Sequence, residues 1–269
     1  MAKSKRITIA KKAFKNKNIE ATKKAHSKKA ISADLHHDHD EHSGSGKYLG
    51  DAVYGAIDGI VTTFAIVSGV IGAELSANII LILGFANLIA DGFSMAAGNY
   101  LSVKSDIEYQ QLEYNREKWE IEHHPEGECE EIRQIYRAKG FKGKDLEKIV
   151  NVITSNEEVW IQTMMLEELG ITPEEKNPKI SASITFISFL ICGFLPLLIF
   201  VLIGFFPSLQ ANAFMYSCII TGVTIFIVGS LRSIVIAKNW IVSGIEMLLV
   251  GGAAATVAYY IGYFLKGLA

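Results

Sequence analysis

The chain of 269 residues is 50% hydrophobic and 20% charged, with a mean hydropathy of +0.27. Its net charge of -2 hides an uneven distribution: Lys and Arg outnumber Asp and Glu by 12 to 5 in residues 1–47, whereas Asp and Glu lead by 18 to 10 in residues 104–176. Long stretches outside these two regions are almost free of charge, which excludes an ordinary water-soluble domain. We therefore expect an all-α membrane protein with separate water-facing parts.

Residues 1–47 form the first predicted segment. They are rich in Lys and poor in large apolar side chains, so they cannot bury enough surface to fold alone. We expect a disordered, basic, His-rich arm in the cytoplasm, where its Lys side chains contact anionic lipid. Residues 36–42 are a dense tract of His and acidic side chains, which either binds a transition metal weakly or is a solvated tail.

Five apolar segments follow, each long enough to cross a hydrocarbon core of about 30 Å as a helix. They are residues 54–73, 77–103, 180–206, 213–235 and 240–265. Spans one and two thus belong to residues 48–103, and spans three to five belong to residues 177–269. Because the Lys and Arg residues precede span one and lie in 104–176 and between spans four and five, the positive-inside rule places these regions in the cytoplasm.

Residues 104–176 separate spans two and three. No Gly or Pro occurs between Gly98 and Pro125, so the helix of span two is expected to project into the cytoplasm. Further helices are predicted at 128–139, 144–153 and 157–169, and together they make a small helical domain inserted between the spans. Its predicted inner-face residues are Ile132, Ile135, Tyr136, Ile149, Val152 and Ile153.

This inserted domain carries clustered carboxylates and thioethers. Four acids, Asp106, Glu113, Glu117 and Glu120, share one face of the projecting helix, where like charges repel unless a cation relieves them. Carboxylates alone suit Mg²⁺ or Ca²⁺, whereas a nearby thioether favours a first-row transition metal. The alternative is a solvated helix face beside a small apolar core. The candidate metal ligands are Glu117, Glu120, Glu128, Glu131, Met164, Met165 and Glu168.

Three acids lie inside the predicted spans: Asp58, Asp91 and Glu246, the last near the cytoplasmic end of span five. Asp58 and Asp91 each cost about 2.5–3.5 kcal/mol on insertion scales, so a functional role is the first interpretation and a helix-packing hydrogen bond is the alternative. Gly55 and Gly59 flank Asp58 and form a small-xxx-small pair that permits close approach of another helix. On span two, Asn87, Asp91 and Met95 lie one turn apart on the same helix face. We interpret this column, facing Asp58, as a passage for a divalent cation. The candidate pathway residues are Asp58, Asn87, Asp91 and Met95.

Three stretches carry a resemblance to a known family. They are YGAIDGIVTTFAIVSGVIGA in span one, LIADGFSMAAGNYLSVKSDIEYQ in span two, and WIQTMMLEELGI before span three. The chain resembles the vacuolar iron transporter family over about residues 47–266. The resemblance implies a homodimer of five-span subunits, an ion path between first and second spans at the two-fold interface, and a cytoplasmic metal-binding helical domain. It also implies export of Fe²⁺ from the cytoplasm in exchange for protons.

The resemblance also assigns roles by position. Asp58 and Met95 match the pathway acid and methionine of the family, and Met165 adjoins the matched cytoplasmic ligands. Those ligands are Glu117, Glu120, Glu128, Glu131, Met164 and Glu168. The chain departs from some members at Asn87, where they carry a membrane glutamate, and it places an acid at Asp91 instead.

These features together predict a transporter of Fe²⁺ or Mn²⁺ and not an enzyme, with no catalytic cofactor. Its expected partners are a second copy, membrane lipids and divalent ions, and no nucleic acid. No GxxxxGK[ST] loop occurs, which argues against ATP-driven pumping. The expected membrane is a prokaryotic inner membrane or a vacuole. Two alternatives stay open: a membrane-anchored metal sensor, and an iron-oxidising or iron-binding module, for which Glu120 and His123 supply only a single Glu-x-x-His pair.

Overall fold

The computed structural model describes residues 9–10, 12–14, 16–28, 30, 47–173, 176–236 and 239–268. These residues form helices and connecting turns, with no strand among them, which confirms the predicted all-α class for this part of the chain. The helices are α1 (Ile19–Ala25), α2 (Leu49–Gly72), α3 (Ala77–His123), α4 (Pro125–Ala138), α5 (Gly143–Thr154), α6 (Glu157–Glu167), α7 (Pro178–Ile203), α8 (Ala213–Ile236) and α9 (Trp240–Leu265). Short 3₁₀ helices at Pro207–Asn212 and Lys266–Leu268 flank the last two.

Five of the described helices are long and apolar enough to cross a membrane. They are α2, α3, α7, α8 with the 3₁₀ turn before it, and α9. This finding confirms the five predicted spans, and the chain is a multi-pass membrane protein. The α3 helix is 47 residues long and continues well beyond the predicted span, as the absence of helix breakers before Pro125 indicates. The side of the membrane on which each connection lies stays a prediction.

The chain divides into two compact units, Met1–Leu88 with Ile187–Ala269, and Ile89–Phe186. In the first unit α2 packs against α8 and α9. Its apolar core includes Phe64, Val67 and Leu197. A Cβ atom added at Gly59 would overlap the main chain of Phe189, so Gly59, one member of the predicted small-xxx-small pair, marks a point where α7 approaches closely.

The second unit contains the inserted helices. Helix α5 packs against both α4 and α6 around a core that includes Ile132, Val150, Ile161 and Met164. The predicted inner-face residues belong to this core or pack against it, except Val152, for which the prediction was wrong because its side chain is 62% exposed. Its position explains the error, since the buried stripe of α5 repeats at three- and four-residue steps and residue 152 falls outside it.

The two ends of α4 show how local chemistry sets the helix bounds. Helix α4 begins at Pro125, three residues before the predicted start, because Pro is well suited to the first helical turn. It ends before Gly140, whose φ of 100° lies in the left-handed region that favours glycine after a helix.

A polar bridge connects α3 to the start of α7 within the second unit. Asn99 Nδ2 donates to Thr185 Oγ1 at 2.6 Å, and Ser181 Oγ donates to Asn99 Oδ1 at 3.2 Å. Ser181 and Thr185 are fully buried, so this bridge fixes the register of the two helices at that level.

The N-terminal segment is described only in part. Helix α1 lies within it, and Asn18 caps the helix by accepting from the Ala21 N–H at 2.9 Å. The disorder expected for residues 1–47 stays a prediction, and the His-rich tract at 36–42 lies outside the described residues.

Candidate metal-binding site

Glu117 is a buried carboxylate on α3. Only 1% of the residue is exposed, and Ile121, one turn further on the same helix face, belongs to the core of the second unit. Arg116 Nη2 lies 2.7 Å from Glu117 Oε1, an ion pair that lacks hydrogen-bond geometry, and neither carboxylate oxygen has a hydrogen-bond partner among the described residues. Such a group is costly to bury unless a cation or a proton neutralises it.

Glu128 is its counterpart on α4. Only 6% of Glu128 is exposed. It lies on the helix face that packs into the core, because Ile132, four residues further on that face, is a core residue. Its Oε2 atom is buried and finds no hydrogen-bond donor in the part of the chain that the structure describes. We refer to Glu117 and Glu128 as the buried acid pair.

Burial and neighbouring acids raise the pKa of Glu117 to about 7. Loss of hydration is the largest cause, and the positive charge of Arg116 opposes it. Negative charges on Glu168, Glu120 and Glu131 raise this pKa further. The Glu117 carboxyl group therefore takes up and releases a proton near neutral pH.

The pKa of Glu128 is raised to about 7 by the same physical causes. Burial contributes most, and the next contributions come from Glu131 and Glu117. The pKa of Glu168, which follows α6, is also raised, first by partial burial and then by Glu131, whose side chain hydrogen-bonds to it. Acids from α3, from α4 and from the turn after α6 therefore act on one another electrostatically, and all of them are among the predicted ligands.

Arg116 is a member of this site that the sequence analysis missed. Its guanidinium donates from Nε to Glu113 Oε2 at 2.9 Å and from Nη1 to Glu120 Oε2 at 2.7 Å, in addition to its ion pair with Glu117. The signal was present, because residues three before and four after an Arg on a helix lie beside it. Arg116 therefore partly neutralises the acids of α3.

The two predicted thioether ligands lie on α6. Met164 is fully buried in the core of the second unit, and Met165 is half-buried against that core. The main-chain N–H of Glu168 donates to the carbonyl of Met164 at 3.0 Å, so the thioethers and Glu168 belong to consecutive turns. The small apolar core named as an alternative is therefore present at Met164.

The acids do not form a closed coordination shell in this conformation. Among the described residues, no group of three or more His, Cys, Asp or Glu side chains is arranged to hold a metal ion. The cluster is close enough to shift the pKa values of its members, and side chains must move for several of them to reach one ion.

The candidate pathway residues are divided between the two units. Asp58 is half-buried on α2 in the first unit, and its main-chain carbonyl accepts from Thr62 Oγ1 at 2.8 Å. Asn87 belongs to the same unit, and its Nδ2 atom is buried with no hydrogen-bond partner in the described ranges. Asp91 and Met95 are half-buried one turn apart on α3 in the second unit. A cation path along these residues stays a prediction.

Comparison with known proteins identifies the family. Residues 49–263 match the model of the VIT family. The chain belongs to the VIT family. Relatives named "Vacuolar iron transporter" include one from Toxoplasma gondii, 36% identical over 265 residues covering 96% of this chain and 87% of the relative, and one from Plasmodium falciparum, 33% identical and covering 98% and 97%. A "Vacuolar iron transporter 1" from Arabidopsis thaliana is 31% identical and covers 84% of this chain and 89% of that protein.

The part of the chain that matches the VIT family contains every predicted metal and pathway residue, from Asp58 to Glu168. The His-rich tract at 36–42 precedes the matched range. The resemblance found in the sequence motifs is thus confirmed at the level of the family.

Proposed function

We propose that this chain is an iron transporter that moves Fe²⁺, and also Mn²⁺, out of the cytoplasm into a vacuole or across a cell membrane. The observation that carries the proposal is the buried acid pair, which lies beyond the apolar part of α3 in a chain with five candidate spans. Both carboxylates have buried oxygens that find no hydrogen-bond donor among the described residues, and Arg116 forms an ion pair with Glu117 only, so the pair is costly in a structural role and is suited to a cation. The names of the relatives support iron as that cation.

Metal capture begins at the acid cluster outside the spans. A divalent ion neutralises the buried acid pair, while Glu120, Glu131 and Glu168 supply further oxygen donors. Metal binding must weaken the ion pairs of Arg116 with Glu117 and Glu120, because the metal and the guanidinium compete for the same carboxylates. The thioethers of α6, on Met164 and Met165, add soft donors that favour Fe²⁺ or Mn²⁺ over Mg²⁺ and Ca²⁺.

The chemistry of the same acids supports exchange of the metal for protons. A carboxyl group with a pKa of about 7 is partly protonated in the cytoplasm, so metal binding displaces a proton and metal release allows one to return. Within the membrane we assign the path to Asp58, Asn87, Asp91 and Met95, at the interface of a homodimer. Acidic side chains in apolar helices are costly, and an ion path provides a reason to keep them.

Flux into proteoliposomes tests the proposal. The purified full chain is reconstituted, Fe²⁺ under anaerobic conditions or Mn²⁺ is added outside, and entry is followed with a dye sensitive to the metal in the lumen. We expect entry that accelerates when the lumen is acidic and that exceeds the leak of protein-free vesicles. Metal binding without any flux would contradict transport and would favour the sensor function instead.

A further inference from the structure

Trp160, on α6, brings a polar group into the apolar core of the second unit. The residue is only 7% exposed, and its indole Nε1 atom is buried with no hydrogen-bond partner among the described residues. An indole N–H donates and cannot accept, and a buried donor without a partner is costly. A phenylalanine would fill an apolar core without that cost, so the indole N–H calls for an explanation.

The unpaired acceptors of the same unit are carboxylate oxygens. Of the residues described in the second unit, the buried side-chain oxygen and nitrogen atoms that lack a hydrogen-bond partner are both carboxylate oxygens of Glu117, Oε2 of Glu128 and Nε1 of Trp160. In the described part of the first unit the corresponding atoms are hydroxyl and amide groups, with no carboxylate among them. The second unit therefore contains one buried donor and three buried acceptors that complement one another chemically.

Contacts between α3 and α6 bring Trp160 to the part of α3 that carries Glu117. Tyr114, three residues before Glu117, donates from Oη to Glu158 Oε2 in the first turn of α6 at 2.6 Å, and it packs against the core that contains Trp160. Lys118, the residue after Glu117, has its Nζ atom 3.0 Å from another carboxylate oxygen of that turn. Side chains of a helix lean towards its N-terminus, so the indole of Trp160 leans towards the turn that contacts α3.

Glu117 also has the oxygen atoms that such a donor needs. Neither of them accepts a hydrogen bond from a described residue, and Oε1 forms its ion pair with Arg116. A carboxylate that binds a metal ion through one oxygen keeps the other for a hydrogen bond, and partners of this kind fix the orientation of the ligand. Because the metal competes with Arg116, the indole N–H is the buried donor available to the remaining oxygen.

We propose that Trp160 is a positioning residue of the acid cluster: when a divalent ion binds, its indole N–H donates to the Glu117 carboxylate and holds it in the orientation that binds the ion. In the conformation described, the two groups are unpaired, so the bond forms only as the side chains rearrange around the ion. The inference rests on the proposed capture of metal by the acids and not on transport.

Ultraviolet resonance Raman spectroscopy of the full chain in detergent tests the hydrogen bond itself. The indole vibration that changes in frequency when the N–H donates is recorded with and without Mn²⁺. The chain has three tryptophans, and the difference between wild type and Trp160→Phe isolates the signal of Trp160. We expect this signal to report a stronger hydrogen bond once Mn²⁺ binds. An unchanged frequency at saturating Mn²⁺ would overturn the inference.

An isosteric variant separates positioning from filling of the core. Replacing Trp160 by benzothienylalanine keeps the ring shape and substitutes sulfur for the N–H. We expect the melting temperature without added metal to stay at that of wild type and the Mn²⁺ affinity in calorimetry to fall at least about tenfold. The matched control is the same replacement at Trp119, which is 59% exposed on α3 and is expected to bind Mn²⁺ as wild type does. Wild-type affinity in the Trp160 variant would show that Trp160 only fills the core.

Failure of the inference and failure of metal capture give different results. Binding of Mn²⁺ that Glu128→Gln weakens marks occupancy of the acid cluster. If wild type shows such binding while the Trp160 vibration does not change, the positioning role alone is wrong. If wild type shows no binding that depends on Glu128, the proposed metal capture is wrong and the inference is overturned with it.

Discussion

Replacing Glu128 by Gln is expected to stabilise the protein at alkaline pH and to leave its stability in acid unchanged. The pKa of Glu128 is raised from its ordinary 4.5 to about 7 in the folded chain, so the fold favours the protonated form. As the pH rises above 4.5, the unfolded chain releases its proton first, and the folded state loses stability until about pH 7. Gln resembles the neutral carboxyl group and removes that loss.

The size of the effect follows from the same pKa values. Each pKa unit corresponds to about 1.4 kcal/mol, so a rise from 4.5 to about 7 is worth up to about 3 kcal/mol above pH 7. Little solvent screening applies, because only 6% of Glu128 is exposed. For a chain of this size such a gain raises the melting temperature by about 6 °C or more.

Thermal unfolding of the full chain in metal-free detergent solution, followed by tryptophan fluorescence at pH 4.5 and pH 8, measures this difference. Trp160 reports on the unit concerned, because it is buried in the same core as Ile132. The matched control is Glu130→Gln on the same helix, where a hydrogen bond from Arg133 lowers the pKa of Glu130 and neutralisation is expected to bring no gain at pH 8. A gain for Glu128→Gln that is equal at both pH values, or absent at pH 8, would refute the reasoning.

Three further predictions concern metal binding and helix packing. Mn²⁺ affinity of the full chain in calorimetry is expected to fall at least about fivefold from pH 8 to pH 6, because protons compete for the buried acid pair; a constant affinity would contradict this. Arg116→Gln is expected to bind Mn²⁺ more tightly than wild type at pH 8, because it removes the positive charge that competes with the metal for the acids. Arg116→Lys keeps that charge and is expected to bind as wild type does. Weaker binding by Arg116→Gln would show that Arg116 instead positions the acids. Gly59→Ala is expected to destabilise the first unit by about 1–3 kcal/mol through overlap with the main chain at Phe189, whereas Gly50→Ala, in open space on the same helix, should not lower the melting temperature. Equal melting temperatures for these two variants would contradict the close approach of α7.

The spans could be predicted because a bilayer demands long apolar helices, and composition alone reveals these. The length of α3 also followed from the sequence, since no helix breaker lies between Gly98 and Pro125. Exact helix starts were less accessible: α2 begins at Leu49, earlier than the apolar run indicates, because hydrophobicity marks the part of a helix within lipid and not the turn that precedes it. In short amphipathic helices such as α5, the apolar pattern does not fix every core position. Val152 is exposed, whereas the adjacent Ile153 is buried.

The candidate site was only partly accessible from the sequence. Spacing placed the acids on common helix faces, yet it does not say whether such a face meets solvent or another helix, and burial is what raises the pKa values of Glu117 and Glu128. A clue was present in Ile121 and Ile132, each four residues after one of these acids and each part of the core. Arg116 was missed because spacing was used only to find acids that repel one another. The same spacing places Arg116 beside Glu113 and Glu120, where its positive charge offsets that repulsion.

The most direct test of the proposed transport is gradient-driven metal flux in proteoliposomes that contain either wild type or Asp58→Ala. Asp58 is the acid of α2 assigned to the path and belongs to the first unit, whereas the acid cluster belongs to the second unit. We predict that Asp58→Ala folds, retains Mn²⁺ binding at the acid cluster, and loses at least about 90% of the Fe²⁺ flux that an acidic lumen drives in wild type. Flux by Asp58→Ala that matches wild type, or wild-type flux that ignores the pH gradient, would contradict metal-for-proton exchange through this path.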